Sequence, residues 1–156
     1  MNRQNFTRLL ITFCWAVVIA TGLPAIGQAQ TLLEEAQKEI QKQWMLADIT
    51  IEGQSFKQMI ETAPSEEEKK RMKQVLTTSL LHFKDDGTYV YKMMGVQEIF
   101  RWSLKLEGET LLLITENNED KENPLKQVIH KINSQELVLQ ELGSEGENRM
   151  LLVPKQ

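Results

Sequence analysis

Residues 80–116 read LLHFKDDGTYVYKMMGVQEIFRWSLKLEGETLLLITE, and this stretch decides the fold. Leu80–Lys84 and Thr88–Met93 flank Asp85-Asp86-Gly87, a hairpin signal because Gly accepts the positive φ that such turns require. In Gln97–Leu106, Phe100, Trp102, Leu104 and Leu106 alternate with Arg101, Ser103 and Lys105. A period of two is that of a strand with one face covered and the other in water. Gly108-Glu109 then turns the chain into Thr110–Glu116.

The same rhythm extends in both directions. Downstream, a polar loop (Asn117–Pro124) leads to Leu125–Ile132, Asn133-Ser134 turns into Glu136–Leu142, and Gly143–Glu147 leads to Asn148–Pro154. Upstream, a strand from Gln43 to Ile51 puts Ile49 and Ile51 on one side and Asp48 and Thr50 on the other, ending near Gly53. Counted from Trp44 this makes about eight strands, nearly all joined by short connections, so consecutive strands are antiparallel neighbours. The expected fold is mostly β: an eight-stranded antiparallel up-and-down meander that curls into a barrel and so removes its exposed edges. A β-sandwich is the alternative arrangement of the same strands.

Two helical stretches interrupt this pattern. Residues 31–42 carry Thr31 and Glu34 at capping-box spacing, with Leu33, Ala36 and Ile40 on one face. Residues 55–80 form a helical insertion after the first strand, in two pieces broken at Pro64. Its second piece opens with Ser65 and Glu68 as a capping box, and Glu66, Glu67 and Glu68 lie at the positive end of the helix dipole. Met72, Val75, Leu76 and Leu80 make its apolar stripe, and Glu66–Lys70 and Glu67–Arg71 are the expected ion pairs along the solvated face.

The order of these features resembles that of lipocalin-like domains of small secreted bacterial proteins. A Trp-bearing first strand (Trp44) and a helical excursion precede a hairpin carrying Phe83, Asp86, Gly87, Thr88 and Tyr89. A Trp-x-Leu strand (Trp102, Leu104) and a late run around Ile132, Leu137 and Leu139 follow. The resemblance spans most of residues 42–154 and implies an eight-stranded barrel of the calycin type with a cup-shaped interior. It also implies an Arg from the last strand packed over the first-strand Trp, a role that falls to Arg149. In the Gly-x-Trp signature of the first strand, the Gly position holds Lys42.

The N-terminus predicts export. Arg3 and Arg8 precede an apolar run from Leu9 to Ala20 of roughly a dozen residues, shorter than the roughly 20 of a membrane-spanning helix. Gly22 and Pro24 break it, and Gly27-Gln28-Ala29 supplies the small residues of a cleavage site. Residues 1–29 are thus expected to be a signal peptide cleaved after Ala29, leaving residues 30–156 as one secreted or periplasmic domain without a stable membrane anchor. Cys14, the sole cysteine, lies inside the removed segment, so no disulfide supports the domain. Loss of Arg3 and Arg8 takes the formal charge from −4 to −6. That balance argues against nucleic acid and against anionic membrane surfaces as partners.

No catalytic constellation emerges. His82 and His130 are far apart and have no Cys or carboxylate at ligand spacing, so neither a metal nor a cofactor is expected. Ser55, Ser65, Ser79, Ser103, Ser134 and Ser144 lack a nucleophile context, and the carboxylates fall in exposed charged segments. The loop Glu116-Asn117-Asn118-Glu119-Asp120 lacks the spacing of a calcium loop. What remains is an apolar interior built from Trp44, Phe83, Tyr89, Tyr91, Met93, Phe100 and Trp102. An eight-stranded barrel is either filled by such side chains or just wide enough for one small ligand. The sequence therefore predicts a non-catalytic domain that binds a small apolar ligand through those seven residues. The alternative is a protein-interaction module with a filled core, contacting its partner through the helical insertion.

Overall fold

The computed structural model describes residues 27, 29–117, 123–143 and 148–156. The expected signal peptide lies outside the described residues except for Gly27 and Ala29, and so do residues 118–122 and 144–147 of two acidic loops. Helix α1 includes Gly27 and residues 29–40. It is followed by β1 (Gln43–Ile51), β2 (Gln54–Ser55), α2 (Phe56–Thr62) and α3 (Glu66–Thr78). The remaining strands are β3 (Leu80–Phe83), β4 (Thr88–Met93), β5 (Val96–Glu107), β6 (Thr110–Asn117), β7 (Leu125–Ile132), β8 (Leu137–Glu141) and β9 (Arg149–Pro154). β1 and β3 to β9 pair in chain order, all antiparallel, and β9 returns to β1. The sheet is therefore a closed eight-stranded barrel, with β2 a two-residue flange on the end of β1.

Two bulges govern which side chains enter the barrel. In β1, Leu46 pairs with Leu152 and Asp48 with Leu151, which leaves Ala47 as the extra residue. The even-numbered Trp44 and Leu46 face inward before it; the odd-numbered Ile49 does so after it. In β7, Ile129 pairs with Leu139 and Lys131 with Val138, so His130 is the extra residue and the inward parity passes from Ile129 to Ile132. A bulge inserts one residue on one strand only and thereby re-aims everything beyond it.

One end of the barrel is packed solid. Trp44 is fully buried, and Ala36 and Ile40 of α1 pack against it with Phe83, Leu137, Leu139 and Leu152. The Trp44 indole donates to the Ile40 carbonyl at 3.0 Å, which satisfies one of the carbonyls a helix leaves free at its C-terminus. Phe83 stacks on Tyr89 with 4.6 Å between ring centroids and meets Trp102 edge-on at 5.6 Å. The Trp102 indole donates to the Lys84 carbonyl at 3.0 Å, which pins the β3–β4 turn to β5.

The helical insertion completes the barrel wall. β3 is so short that it pairs with β1 only from Gln43 to Met45. Beyond Met45, α3 fills the gap between β1 and β4, with Val75 and Leu76 packed on the core and Ile60 of α2 buried. Ser79, also fully buried, fixes the junction: its carbonyl accepts from the Leu46 amide at 3.3 Å, and its hydroxyl donates to the Val75 carbonyl at 2.6 Å. The Met94 amide donates to the Thr78 hydroxyl at 3.1 Å, tying the helix to the β4–β5 turn. At the other side, the Asp48 carboxylate accepts from the Ser55 hydroxyl at 2.6 Å, and Ser55 caps α2.

Several local expectations need correction. Thr31 does not cap α1, because the helix is already under way at residue 29 and the Thr31 hydroxyl donates back to the Gly27 carbonyl at 2.9 Å. Glu66 pairs with Lys69 at 3.0 Å instead of Lys70, three residues along a helix being as near as four. Ser65 caps α3 as expected, accepting from the Glu68 amide at 3.2 Å, and Glu67 meets Arg71 at 2.9 Å. Arg149 does not cover Trp44. It pairs with Thr50, near the far end of β1, whereas Trp44 pairs with Pro154. The cation above the indole is Lys42, its ammonium 5.1 Å from the ring centroid.

Candidate functional site

The end of the barrel opposite α1 is hollow. A first lobe of about 360 Å³ lies between β4, β5 and β6 on one side and β1, β9 and α3 on the other. A second, of about 440 Å³, lies between β1, β7, β8 and β9. Ile49, Leu125, Gln127 and Met150 line both, so the lobes adjoin along a shared wall. Each has the size of a small-molecule site.

Of the seven residues read from the sequence as an apolar interior, Tyr89, Tyr91, Met93 and Phe100 line the first lobe. Trp44, Phe83 and Trp102 belong to the packed core nearer α1. The interior is thus filled in one half and open in the other. Tyr89 bridges the two, stacked on Phe83 below and 5.5 Å from the Phe100 ring beside it. The Tyr91 hydroxyl donates to the Met93 sulfur at 3.1 Å, which holds the wall of the first lobe together near its rim.

No family model, curated protein or solved structure matches this chain. Its chemistry must therefore be read from the site itself. His82 alternates with the inward Leu81 and Phe83 and so faces away from the interior. His130 is exposed at the β7 bulge, with its ring nitrogen hydrogen-bonded to the Gln140 side chain. Among the described residues no three His, Cys, Asp or Glu side chains gather closely enough to hold a metal ion, and no helix is long and apolar enough to cross a membrane.

The residues that sequence reasoning missed are the polar ones. Thr115 and Gln127 stand in the inward positions of β6 and β7, following Leu111 and Leu113 in one strand and between Leu125 and Ile129 in the other. They are only 6% and 7% exposed. A polar residue in an apolar register slot was the available signal. The rim adds Glu98 and Asn117 to the first lobe and Glu141 and Arg149 to the second. Around the mouth stand Ile51, Met94, Val96, Leu125 and Leu142, five large apolar side chains that are all exposed.

Burial holds the Tyr89 phenol above its ordinary value of about 10, with smaller contributions from neighbouring Tyr91 and Glu98. The folded protein therefore keeps this proton at a pH where the unfolded chain has lost it. Stability contributed by the neutral phenol is complete below about pH 10 and declines as pH rises beyond that value. Urea unfolding at about pH 8 and about pH 11 checks this: Tyr89→Phe will lose less stability between the two than the parent. An equal loss in both proteins would place the alkaline sensitivity elsewhere.

Proposed function

We propose that this chain is an exported, lipocalin-like carrier that holds one small apolar ligand in the mouth of its barrel and performs no chemistry on it. The observation that carries the reading is the two-lobed cavity, closed off from one end by the α1-plugged core and opening at the other. The walls of the first lobe are mainly aliphatic and aromatic, with a few polar groups among them, the composition expected of a binding site for small molecules. The closed eight-stranded antiparallel barrel is compatible with the lipocalin-like resemblance, and the apolar side chains around the mouth give an apolar ligand a path inward.

The competing reading, a filled barrel acting on a partner through residues 55–80, draws less support. Ile60, Val75 and Leu76 are turned onto the barrel, and none of the exposed large apolar side chains belongs to α2 or α3.

Native mass spectrometry of the protein recovered from outside the producing cells' cytoplasm tests export and carriage together. The expected spectrum is a chain beginning at Gln30 that carries a reproducible extra mass, lost on mild activation. A chain retaining residues 1–29 would overturn cleavage at Ala29. A correctly trimmed, folded chain of bare mass would overturn carriage.

A further inference from the structure

The polar groups of the cavity specify one end of its ligand. Thr115 and Gln127 are more than nine-tenths buried, and neither side chain hydrogen-bonds to another described residue. No side-chain nitrogen or oxygen sealed inside the described protein lacks a partner, so these two polar ends open into the cavity. A carboxamide offers both donor and acceptor, and a hydroxyl does the same. Left without a partner in an apolar wall, each carries a desolvation cost that a matching ligand group relieves.

We propose that the ligand is amphipathic, with an apolar body against Tyr91, Phe100 and Met150 and an uncharged hydrogen-bonding group, a hydroxyl or an amide, seated between Thr115 and Gln127. This rests on the carrier reading above. The charge of the site argues the same way. Among the described residues no Lys or Arg lines the first lobe, and Glu98 stands at its rim, so a carboxylate seated among them would be desolvated without a counter-ion and next to a like charge. Tyr89 is stacked between Phe83 and Phe100, so its faces are occupied and it offers none to a cation. Arg149 lies in the second lobe, where it is exposed, so an anionic ligand is a real competitor that the test must separate.

The test uses the apolar fluorophore N-phenyl-1-naphthylamine as reporter, displaced at neutral pH by decanol or by decanoate, in the parent chain, Gln127→Leu and Thr115→Val. The expected result is that decanol displaces the fluorophore at a concentration at least about tenfold lower than decanoate does. Either substitution will weaken decanol about tenfold, the worth of one such hydrogen bond, with fluorophore affinity measured afresh in each variant so that the decanol constant is corrected for it. Circular dichroism confirms that each variant is folded, and should Gln127→Leu fail this check, the near-isosteric Thr115→Val decides. Decanoate binding as tightly as decanol, or decanol unchanged in a folded variant, would overturn this inference and leave the carrier reading intact. Failure of the parent chain to bind fluorophore or decanol at all would overturn both.

Discussion

Met150→Trp will abolish uptake of an apolar fluorophore by this barrel while leaving the barrel folded. Met150 is half-buried on β9, paired with Ile49 of β1 and Leu139 of β8, and it lines both lobes of the cavity. A tryptophan there projects its indole into the space the lobes share. The closed-end core is not called on to yield, since Met150 lies on the cavity side of Leu152, the fully buried residue two positions further along the same strand. Ordinary overpacking costs about 1–3 kcal/mol because neighbours must shift, but here the added volume enters space that is already open. Ligand and indole then compete for one volume, and affinity should fall by about a hundredfold or more, equivalent to roughly 2.7 kcal/mol. Titration with N-phenyl-1-naphthylamine reads the loss, and thermal unfolding reads the stability. Unchanged affinity in a folded Met150→Trp protein would mean that the fluorophore binds elsewhere on the surface.

The barrel itself was legible because most of its information is local. Phe100, Trp102, Leu104 and Leu106 alternate in sequence and do face the interior of β5, and Gly87, at φ +77°, makes the turn that its position promised. What was not legible depends on pairing between distant segments. Nothing local to Ala47 or His130 marks a bulge. Each is the extra residue only because β9 or β8 sets the register opposite it. The consequence is large, since a parity shift decides that Ile49 faces the cavity together with Leu46. The type of the β4–β5 turn was equally hidden, for Met94 adopts φ +51° ahead of Gly95 at +86°, a conformation that Asn or Gly announces and Met does not.

The division of the interior into a solid half and a hollow half is a further property that composition cannot carry. Aromatic residues at the two ends look alike in sequence. Their fates separate because α1 supplies Ala36 and Ile40 to one end, whereas among the described helices the other receives only the edge of α3. The position of Arg149 follows from the same register: β9 runs from the mouth toward α1, so its first residue lies as far from Trp44 as the strand allows.

Trp44→Ala will cost the domain about 3–5 kcal/mol, the range for removing a large aromatic from a packed core. Two features put it toward the upper end. Trp44 is fully buried at the point where α1, β1 and β3 meet, so the cavity left behind has walls from several elements and little freedom to collapse. Its indole also ties α1 to the barrel through the Ile40 carbonyl. Against a typical net stability of about 5–15 kcal/mol, such a loss brings a domain without a disulfide close to unfolding. Trp44→Phe separates the two contributions. The Ile40 carbonyl also accepts from the Lys42 amide at 2.7 Å, so Phe leaves it with a partner and forfeits one hydrogen bond, about 1 kcal/mol, plus part of the packing. Urea unfolding followed by far-UV circular dichroism measures both variants, and amide exchange in residues 33–40 shows whether α1 loosens ahead of the sheet. If Trp44→Ala costs no more than Trp44→Phe, α1 is held by the hydrogen bond and not by packing. If α1 exchanges freely in both while the strands stay protected, the helix is a detachable plug, and the solid end of the barrel owes its filling to a segment that can leave.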